Sequence, residues 1–430
     1  MRRFEVIVVG AGPAGTAAAY LLARAGLEVV LFERGPYPGS KNVMGGVLYT
    51  RMMEEIIPGF WRRAPLERPV VEQNLWILSA DAAFKIGHRH EVFAAEPPNC
   101  FTVLRAKFDQ WFAQQAVEAG VFLVPETLIE ELLVANGRVV GVRAGREEGE
   151  VYADVVVLAE GVNAQLAQQA GLREEIAPQN VAVAVKEVLA LPRKEIEARF
   201  NLTDNQGATI ELIGTATAGL VGTGFLYTNR DSLSVGVGVL AADLVEAGLT
   251  PYDLLEQVKA HPSVRPLIEG AEPREYLAHL IPEGGYREVP SLVHEGLLIV
   301  GDAAMLVNSL HREGANLALT SGRLAAETIL EAKKRGDFSA SALAPYRQRL
   351  EDSFVLADLK KYQEAPRFLA THPHLFQLYP RLLNEVAREW LTVDGVPKRE
   401  KQRAIWRRVT QARPLRRIIG DLWAAWRALR

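Results

Sequence analysis

The sequence predicts an α/β fold in which a mostly parallel nucleotide-binding sheet is interrupted by an inserted antiparallel sheet and followed by a helical C-terminal region. Three observations predict it. A strand, a glycine-rich turn and a helix open the chain at residues 4–25. Residues 180–280 change to alternating and glycine-rich strand patterns, which are typical of an antiparallel sheet. The first pattern returns at residues 296–333, and helical patterns continue after about residue 340.

The opening segment has the pattern of a β-α-β unit. Phe4–Val9 is short, apolar and β-branched, which predicts a buried strand. Thr16–Ala25 is rich in alanine and leucine and is followed by Gly26, which predicts a helix and its end. Leu27–Phe32 predicts the second strand. A unit of about 30 residues is the size expected of a nucleotide-binding β-α-β.

The turn between this strand and helix has the GxGxxG spacing of a dinucleotide-binding loop. Gly10 permits a tight turn, Gly12 lets the backbone approach a pyrophosphate, and Gly15 lets helix and strand pack closely. The helix N-terminus then faces the phosphates. Glu33 ends the second strand, where its carboxylate can accept hydrogen bonds from ribose hydroxyls. The loop alone does not distinguish NAD from FAD.

A second motif distinguishes FAD from NAD. Leu297–Ala304 places Asp302 at the end of a late strand. This arrangement resembles the second FAD motif of the glutathione-reductase-type flavoproteins, and the resemblance implies that Asp302 meets the ribityl or pyrophosphate part of a non-covalent FAD. Gly314-Ala-Asn316 follows and opens a helix whose N-terminal amides are expected to face the flavin pyrimidine. The alternatives are a helix N-cap for Asp302 and a turn residue for Asn316.

Two further segments match positions near FAD in related flavoproteins. Arg105 begins a helix predicted at about residues 105–119, where such proteins place an arginine against the FAD phosphates. A solvated surface arginine is the alternative. Glu160-Gly161 follows the strand Ala153–Ala159, where related proteins often have Asp-Gly, so the glutamate departs from that pattern.

The segment from Glu33 to Gly46, ERGPYPGSKNVMGG, is more specific. It resembles the electron-transfer-flavoprotein:quinone oxidoreductase family, and in particular its short FixC-type members. The likeness recurs along the whole chain at Val183–Val188, Gly224–Asn229, His279–Gly285 and Val393–Lys398.

This resemblance implies one FAD that accepts electrons from the alpha and beta subunits of an electron-transfer flavoprotein and passes them to membrane quinone. Longer family members carry a [4Fe–4S] cluster on a fused ferredoxin-like domain. Cys100 is the single cysteine here, so it cannot hold a cluster or form a disulfide or CxxC pair. The resemblance therefore implies a separate small ferredoxin-like [4Fe–4S] subunit. In such assemblies, which can bifurcate electrons, the bifurcating flavin would lie on a partner.

The expected domains are an FAD-binding domain at residues 1–180 and 286–345, an antiparallel-sheet quinone or substrate domain at 181–285, and a helical region at 346–430. No catalytic triad, metal-ligand cluster or carboxylate dyad stands out. None is required, because the flavin carries the redox chemistry. His311 is a candidate for quinone protonation or a polar helix-start residue. The expected cofactor-binding residues are Gly10, Gly12, Pro13, Ala14, Gly15, Glu33, Arg34, Lys41, Asn42, Gly45, Gly46, Arg105, Glu160, Gly161, Gly301, Asp302, Gly314, Ala315 and Asn316.

The C-terminal segment is basic and amphipathic. Residues 398–430 hold eleven Lys/Arg against two acidic residues, so the net charge of −3 hides an acidic body with a basic tail. Between Leu415 and Leu429 leucine, isoleucine and tryptophan recur at helical spacing, with arginines mostly off that stripe. This pattern favours a helix lying in a membrane interface, and the alternative is a helix packed on the body or on a partner. Nothing here resembles a nucleic-acid-reading module.

We therefore expect a peripheral protein on the cytoplasmic face of the cell membrane, since the first strand leaves no room for a signal peptide and no apolar run is long enough to span a bilayer. The main competing hypothesis is a geranylgeranyl-reductase-like FAD enzyme acting on isoprenoid lipids. An aromatic hydroxylase and a docking subunit with a structural FAD are two weaker hypotheses.

Overall fold

The computed structural model describes residues 2–41, 46–146 and 149–430, except for the side chain of Arg2. The chain divides into two compact units. The first unit comprises Met1–Glu67, Glu96–Val181 and His279–Lys361, and the second comprises Arg68–Ala95, Ala182–Ala278 and Tyr362–Arg430.

The strands lie in the following order along the chain: β1 (Arg2–Val9), β2 (Val29–Phe32), β3 (Val47–Tyr49), β4 (Val70–Leu78), β5 (Ala83–Arg89), β6 (Cys100–Thr102), β7 (Phe122–Val124), β8 (Ile129–Ala135), β9 (Arg138–Ala144), β10 (Glu150–Leu158), β11 (Val181–Ala190), β12 (Gly207–Gly214), β13 (Gly222–Thr228), β14 (Ser232–Leu240), β15 (Glu272–Pro282), β16 (Val293–His294) and β17 (Leu297–Ile299).

The α-helices are α1 (Pro13–Arg24), α2 (Thr50–Glu54), α3 (Arg105–Glu118), α4 (Gln165–Gln169), α5 (Arg193–Arg199), α6 (Ala241–Ala247), α7 (Pro251–Ala260), α8 (Arg265–Ile268), α9 (Ala315–Arg335), α10 (Ala340–Leu343), α11 (Pro345–Asp352), α12 (Phe354–Lys361), α13 (Ala365–Thr371), α14 (His374–Leu391), α15 (Lys398–Ala412) and α16 (Leu415–Leu429).

The first unit is built on a sheet of order β16-β17-β10-β1-β2-β7. The central strands are parallel, β1 with β2 and β10, and β10 with β17. They read as continuous apolar runs because a parallel sheet is covered on both faces. Val6, Ile7 and Val155 accordingly have no exposed surface. The predicted β-α-β opening of a Rossmann-like α/β fold is confirmed.

The second unit is built on a sheet of order β15-β11-β14-β13-β12-β4-β5. Its neighbouring strands are antiparallel as expected wherever their register is described, except that β4 runs parallel to β12. One face of this sheet buries apolar residues such as Val235 and Leu212, together with Leu254 and Leu255 of α7. The sequence patterns did not reveal that β4 and β5 join this sheet, because β4 connects them to it by pairing with β12, which follows more than a hundred residues later.

The chain beyond residue 340 is helical, as predicted, and α16 has the predicted bounds. Its larger apolar side chains are exposed, with 66% of Leu422 and 58% of Trp423 accessible, whereas Asp421 and Ala428 are buried. The helix therefore packs on its own unit through the narrow face that carries these two residues. Among the described residues, no helix combines the length and the apolar character that a membrane span needs.

Candidate functional site

The ends of four strands meet at one edge of the first sheet. In the register of the parallel strands, Val9 lies beside Phe32 and Leu158, and Leu158 lies beside Ile299. The residues that follow these positions therefore leave the sheet at the same edge. In open α/β sheets, ligands bind at this carboxyl edge. The glycine loop, Glu33, Glu160 and Asp302, which are far apart in sequence, begin from this edge.

The glycine loop is as tight as its motif predicts. Gly10 has a φ of +104°, and a Cβ there would lie 2.2 Å from the carbonyl oxygen of Ala159. A Cβ at Gly15 would lie 2.0 Å from the carbonyl oxygen of Gly10. A Cβ at Gly12, in contrast, would meet nothing within 4 Å. Gly10 and Gly15 thus permit the close packing of the loop, whereas the space beside Gly12 is open.

Glu33 joins the glycine loop to the segment that follows β2. Its Oε2 accepts a hydrogen bond of 3.0 Å from the backbone N–H of Ala11, and its Oε1 accepts one of 2.7 Å from Gly35. Helix α1 begins at Pro13 without a side-chain N-cap. Its first amides and the positive end of its dipole are therefore available to an anion. The side chain of Arg34 is exposed beside Glu33.

The segment that carries Asp302 packs on the start of α1. Gly301 and Asp302 lie in a short 3₁₀ turn, Gly301–Ala304. A Cβ at Gly301, which has a φ of +62°, would lie 3.0 Å from the Cβ of Ala14. A Cβ at Gly322 of α9 would lie 2.1 Å from the carbonyl oxygen of Ala14. The glycines permit this close approach, so the glycine loop, the Asp302 turn and α9 meet at Ala14.

The charges of two arginines act on Asp302. Burial raises the pKa of its carboxyl group, and the positive charges of Arg105 and Arg173 partly offset this. Arg105 is 8% exposed and holds Asp109 on the next turn of α3 through bonds of 2.8 and 2.9 Å. The predicted arginine is therefore not a solvated surface residue. Its positive charge acts on Asp302, and Asp109 orients its guanidinium.

Arg173 was missed by the sequence analysis. It is 7% exposed, and its Nη1 donates a hydrogen bond of 3.0 Å to the carbonyl oxygen of Ala303, 130 residues away in sequence. Its other terminal nitrogen contacts the Met305 sulfur. Arg173 thus fixes the turn that carries Asp302. No local motif surrounds it, so only its distant contacts identify it.

The beginning of α9 is held by a short turn. The backbones of Asn308 and Glu313 pair with each other through bonds of 2.8 and 3.1 Å. The Asn316 amide donates to the Glu313 carboxylate at 3.0 Å. Gly314 is the N-cap of α9, no side chain caps the helix, and Ala315 is its first residue. The N-terminus of α9 therefore also offers backbone amides, whereas His311, on the same turn, has an exposed side chain.

Glu160 has a structural partner of its own. Its carboxylate accepts hydrogen bonds from the backbone N–H groups of Leu166, at 2.9 Å, and Ala167, at 3.3 Å. It therefore caps the N-terminus of α4. Burial raises the pKa of Glu160, and these hydrogen bonds partly offset the rise. Gly161, with a φ of +73°, turns the chain after it.

The distinctive loop after Glu33 is described in part. Lys41 is exposed, and Asn42 and Gly45 lie outside the described residues. Gly46 accepts a backbone hydrogen bond of 2.9 Å from Val103. The Ser40 hydroxyl is buried and has no hydrogen-bond partner within the described chain. An unsatisfied buried hydroxyl costs free energy, so it is an available partner for a polar ligand atom.

His279 and Glu283, two ionisable residues for which the sequence predicts no function, also lie in the first unit. Burial lowers the pKa of His279 to about 4, and the positive charges of Arg105 and Arg34 act in the same direction. Burial raises the pKa of Glu283 to about 7, against a hydrogen bond from Ser309 that lowers it. Both shifts favour the uncharged form of the side chain.

These residues fit a dinucleotide cofactor. Two uncapped helix N-termini, the open space at Gly12 and the Arg105 guanidinium suit phosphate oxygens. The carboxylates of Glu33 and Asp302 suit hydroxyl groups. Within residues 2–41, 46–146 and 149–430, no group of three or more His, Cys, Asp or Glu side chains is placed to hold a metal ion.

Comparisons with protein families agree with this chemistry. Residues 5–197 match the family described as FAD dependent oxidoreductase. Residues 365–430 match the ETF-QO/FixC family C-terminal domain.

Individual proteins resemble the chain over nearly its whole length. Protein FixC of Bradyrhizobium diazoefficiens is 50% identical, with 100% of this chain and 99% of that protein aligned. The probable electron transfer flavoprotein-quinone oxidoreductase YdiS of Escherichia coli is 42% identical over 94% of each. Among solved structures, a geranylgeranyl bacteriochlorophyll reductase-like protein from Thermoplasma acidophilum aligns with a TM-score of 0.73 at 20% identity, covering 96% of this chain and 98% of that one. That last likeness shows the fold alone.

Proposed function

The chain belongs to the ETF-QO/FixC family and is an FAD-dependent oxidoreductase, and from that premise we propose that it passes electrons from an electron-transfer flavoprotein to membrane quinone. The observation that carries the proposal is the full-length similarity to FixC proteins and to a relative named as a probable electron transfer flavoprotein-quinone oxidoreductase.

In this proposal the carboxyl edge of the first sheet holds FAD. The amides at the start of α1 and the Arg105 guanidinium bind the pyrophosphate, and the space beside Gly12 admits it. Glu33 binds the adenosine ribose. Each oxygen of its carboxylate accepts one backbone hydrogen bond and can accept another from a ribose hydroxyl. Asp302 binds the ribityl or pyrophosphate part. FAD supplies the redox chemistry, and these side chains bind and orient it.

The start of α9 and the loop after Glu33 complete the proposed site. Gly314, Ala315 and Asn316 offer backbone amides to the flavin pyrimidine end. Ser40 supplies a hydroxyl without a partner among the described residues. The role of Glu160 in this proposal is indirect, since its carboxylate caps α4.

The C-terminal helix supports an interfacial location. In α16 the exposed fractions of Ile419, Leu422 and Trp423 are 58%, 66% and 58%. Trp423 stacks on Trp426 with ring centroids 4.9 Å apart. An exposed apolar face in a segment of net positive charge complements an anionic lipid surface. We place the protein on the cytoplasmic face of the membrane, where α16 lies in the interface and quinone is accessible.

The proposed partners follow from the same family membership. The two electron-transfer flavoprotein subunits supply electrons, and a small ferredoxin-like [4Fe–4S] subunit completes the assembly, since Cys100 is buried and alone. Any bifurcating flavin lies on a partner. In this proposal the first unit binds FAD, the antiparallel-sheet domain predicted at 181–285 binds quinone, and α16 contacts the membrane.

A quinone-reoxidation experiment tests this proposal. The purified, yellow holoprotein is reduced with dithionite without oxygen, mixed with a short-chain quinone analogue, and followed by flavin absorbance. We expect rapid reoxidation, with no turnover of a geranylgeranyl substrate. A flavin that stays reduced in excess quinone would refute the proposal and favour a docking subunit with a structural FAD. The prenyl-reductase hypothesis is not favoured, because that likeness is at 20% identity, against 42–50% for the FixC and YdiS relatives.

A further inference from the structure

Three arginines form one row along α15. Arg399, Arg403 and Arg407 lie four residues apart in this helix of 15 residues, and all three are exposed. Residues four apart in a helix lie on the same face, separated by a rise of about 6 Å. We call these three residues the arginine row, and their guanidinium groups leave one side of α15 within about 12 Å of helix length.

Two other cations of α15 are paired inside the second unit. Arg408 forms an ion pair of 3.6 Å with Glu385 of α14. Lys401, which is buried, forms one of 2.8 Å with Asp394. Within the described residues, in contrast, no side chain of the arginine row makes an ion pair or a hydrogen bond. The row is therefore the outward part of α15 whose charge the unit itself does not neutralise.

The positive charge of this face is uncompensated along the helix as well. Glu400 is the single acidic residue of α15, against six Lys/Arg. Like charges four residues apart on a helix repel each other, so the arginine row opposes the formation of α15. An anionic surface placed against the row would offset this repulsion. The planar guanidinium groups suit carboxylates in particular, because each can donate two parallel hydrogen bonds to one carboxylate.

The surface beside the arginine row has little apolar area. Trp406, three residues after Arg403, is 56% exposed and is the one large apolar side chain of α15 that is exposed. Ile405 and Val409 are half-buried. Arginine and tryptophan are the residue types that contribute most to binding in protein interfaces. A small, charged interface is typical of partners that bind and leave repeatedly, whereas permanent subunits bury larger apolar surfaces.

We propose that the arginine row docks the electron-transfer flavoprotein through a row of carboxylates on that partner. The inference rests on the proposed function, which supplies this partner. The opposite charges accelerate the encounter and are screened by salt, and Trp406 adds a short-range contact once the two proteins meet. Lipid contact stays with α16, whose exposed face carries several large apolar side chains, whereas α15 exposes one.

Binding measured at several ionic strengths tests this inference. The holoprotein, without liposomes, is mixed with the purified electron-transfer flavoprotein of the same organism, and the association and dissociation rates are measured. The wild-type association rate should fall at least about tenfold between low and high salt. The triple variant R399Q/R403Q/R407Q should associate about 10- to 100-fold more slowly at low salt and lose most of the salt dependence. W406S should mainly raise the dissociation rate.

A variant with the same loss of charge elsewhere is the matched control. R24Q/K334Q/R335Q removes three exposed cations from the first unit and should keep the wild-type association rate and salt dependence. Glutamine has nearly the helix propensity of arginine, so both triple variants should fold. Bound flavin and thermal unfolding check this.

The outcomes are distinct for the inference and for the proposed function. Wild-type association of R399Q/R403Q/R407Q would overturn the docking role and leave the proposed function intact. The same holds if that variant binds the flavoprotein normally but loses binding to phosphatidylserine-containing liposomes, which would assign the row to lipid. A complex that depends on the row, but whose FAD passes no electrons to quinone, would support the inference and refute the proposed function. A wild type that does not bind the flavoprotein would overturn both.

Discussion

Tyr379 of α14 donates a hydrogen bond of 2.6 Å to the buried carboxylate of Asp421 on α16. Arg413, in the loop before α16, binds both oxygens of the same carboxylate. Asp421 thus fastens α16 to its unit by polar contacts. Because the face of α16 that carries Asp421 is turned inward, the tryptophans and leucines of the helix are exposed. Asp421 therefore helps to orient the apolar face outward.

We predict that D421N loosens α16 without affecting FAD. Burial acts to raise the pKa of Asp421, but the hydrogen bonds from Arg413 and Tyr379 outweigh it and lower the pKa to about 2. Because the folded pKa is lowered, the stabilisation is present above pH 4 and is lost as pH falls from about 4 to 2. The D421N substitution should lower the free energy of local unfolding of α16 by about 1–3 kcal/mol, because Arg413 loses its charged partner.

Limited trypsin digestion measures this effect, since the segment after residue 398 is rich in arginine. D421N should release the tail faster at neutral pH. E400Q, which changes an exposed residue of α15, is the matched control and should be cut at the wild-type rate. Equal digestion of D421N and the wild type would contradict the fastening role.

The exposed face of α16 is predicted to bind anionic lipid. Replacing both Trp423 and Trp426 with serine should reduce binding to phosphatidylserine-containing liposomes at least about tenfold, because large apolar area leaves the interface. The double change R416Q/R417Q should weaken binding mainly at low salt, since it removes charge alone. Sedimentation with liposomes is the measurement. Unchanged binding of the tryptophan variant would contradict the prediction that α16 binds the membrane through its apolar face.

Two glycines of the dinucleotide loop should respond differently to alanine. G12A should fold normally, because a Cβ meets nothing within 4 Å, but should retain less FAD because the methyl group fills the pyrophosphate approach. G10A should destabilise the protein by about 1–3 kcal/mol or more, since its φ is +104° and its Cβ would meet the Ala159 carbonyl oxygen at 2.2 Å. Thermal unfolding and the ratio of bound flavin to protein measure both. Full flavin in G12A would contradict the proposed approach.

Arg173 is predicted to position Asp302. R173M should lower the free energy of unfolding by about 1–3 kcal/mol, because the Ala303 carbonyl oxygen loses its hydrogen-bond donor. It should also raise the pKa of Asp302 further, since the Arg173 charge lowers that pKa. Flavin retention should then decrease. R143M, at an exposed arginine of β9, is the control. Wild-type flavin affinity in R173M would show that Asp302 does not depend on it.

Sequence patterns predicted the parts of the fold that local chemistry determines. The opening β-α-β unit, the late strand before Asp302 and the bounds of α16 each follow from periodicity and a few glycines. The membership of β4 and β5 in the second sheet was not predictable, because strand pairing across more than a hundred residues leaves no local pattern.

The same limit applies to the residues that we propose for the candidate site. Gly10, Gly12 and Gly15 stand in a motif whose geometry is local, and Arg105 was placed by family resemblance. Arg173 has no such signature, since its hydrogen bond to the Ala303 carbonyl oxygen joins segments 130 residues apart. The sequence also did not indicate which face of α16 packs inward, because apolar periodicity alone does not distinguish a buried stripe from an interfacial one.

A single-turnover electron-transfer experiment decides whether this chain passes electrons from an electron-transfer flavoprotein to quinone. Reduced electron-transfer flavoprotein is mixed without oxygen with the holoprotein on quinone-containing liposomes, and the absorbance of both flavins is followed. We predict that the FAD of this chain is first reduced and then reoxidised as quinol appears, in a ratio of one quinol per two electrons. A flavin that accepts no electrons from the flavoprotein, or that stays reduced while quinone remains, would contradict it.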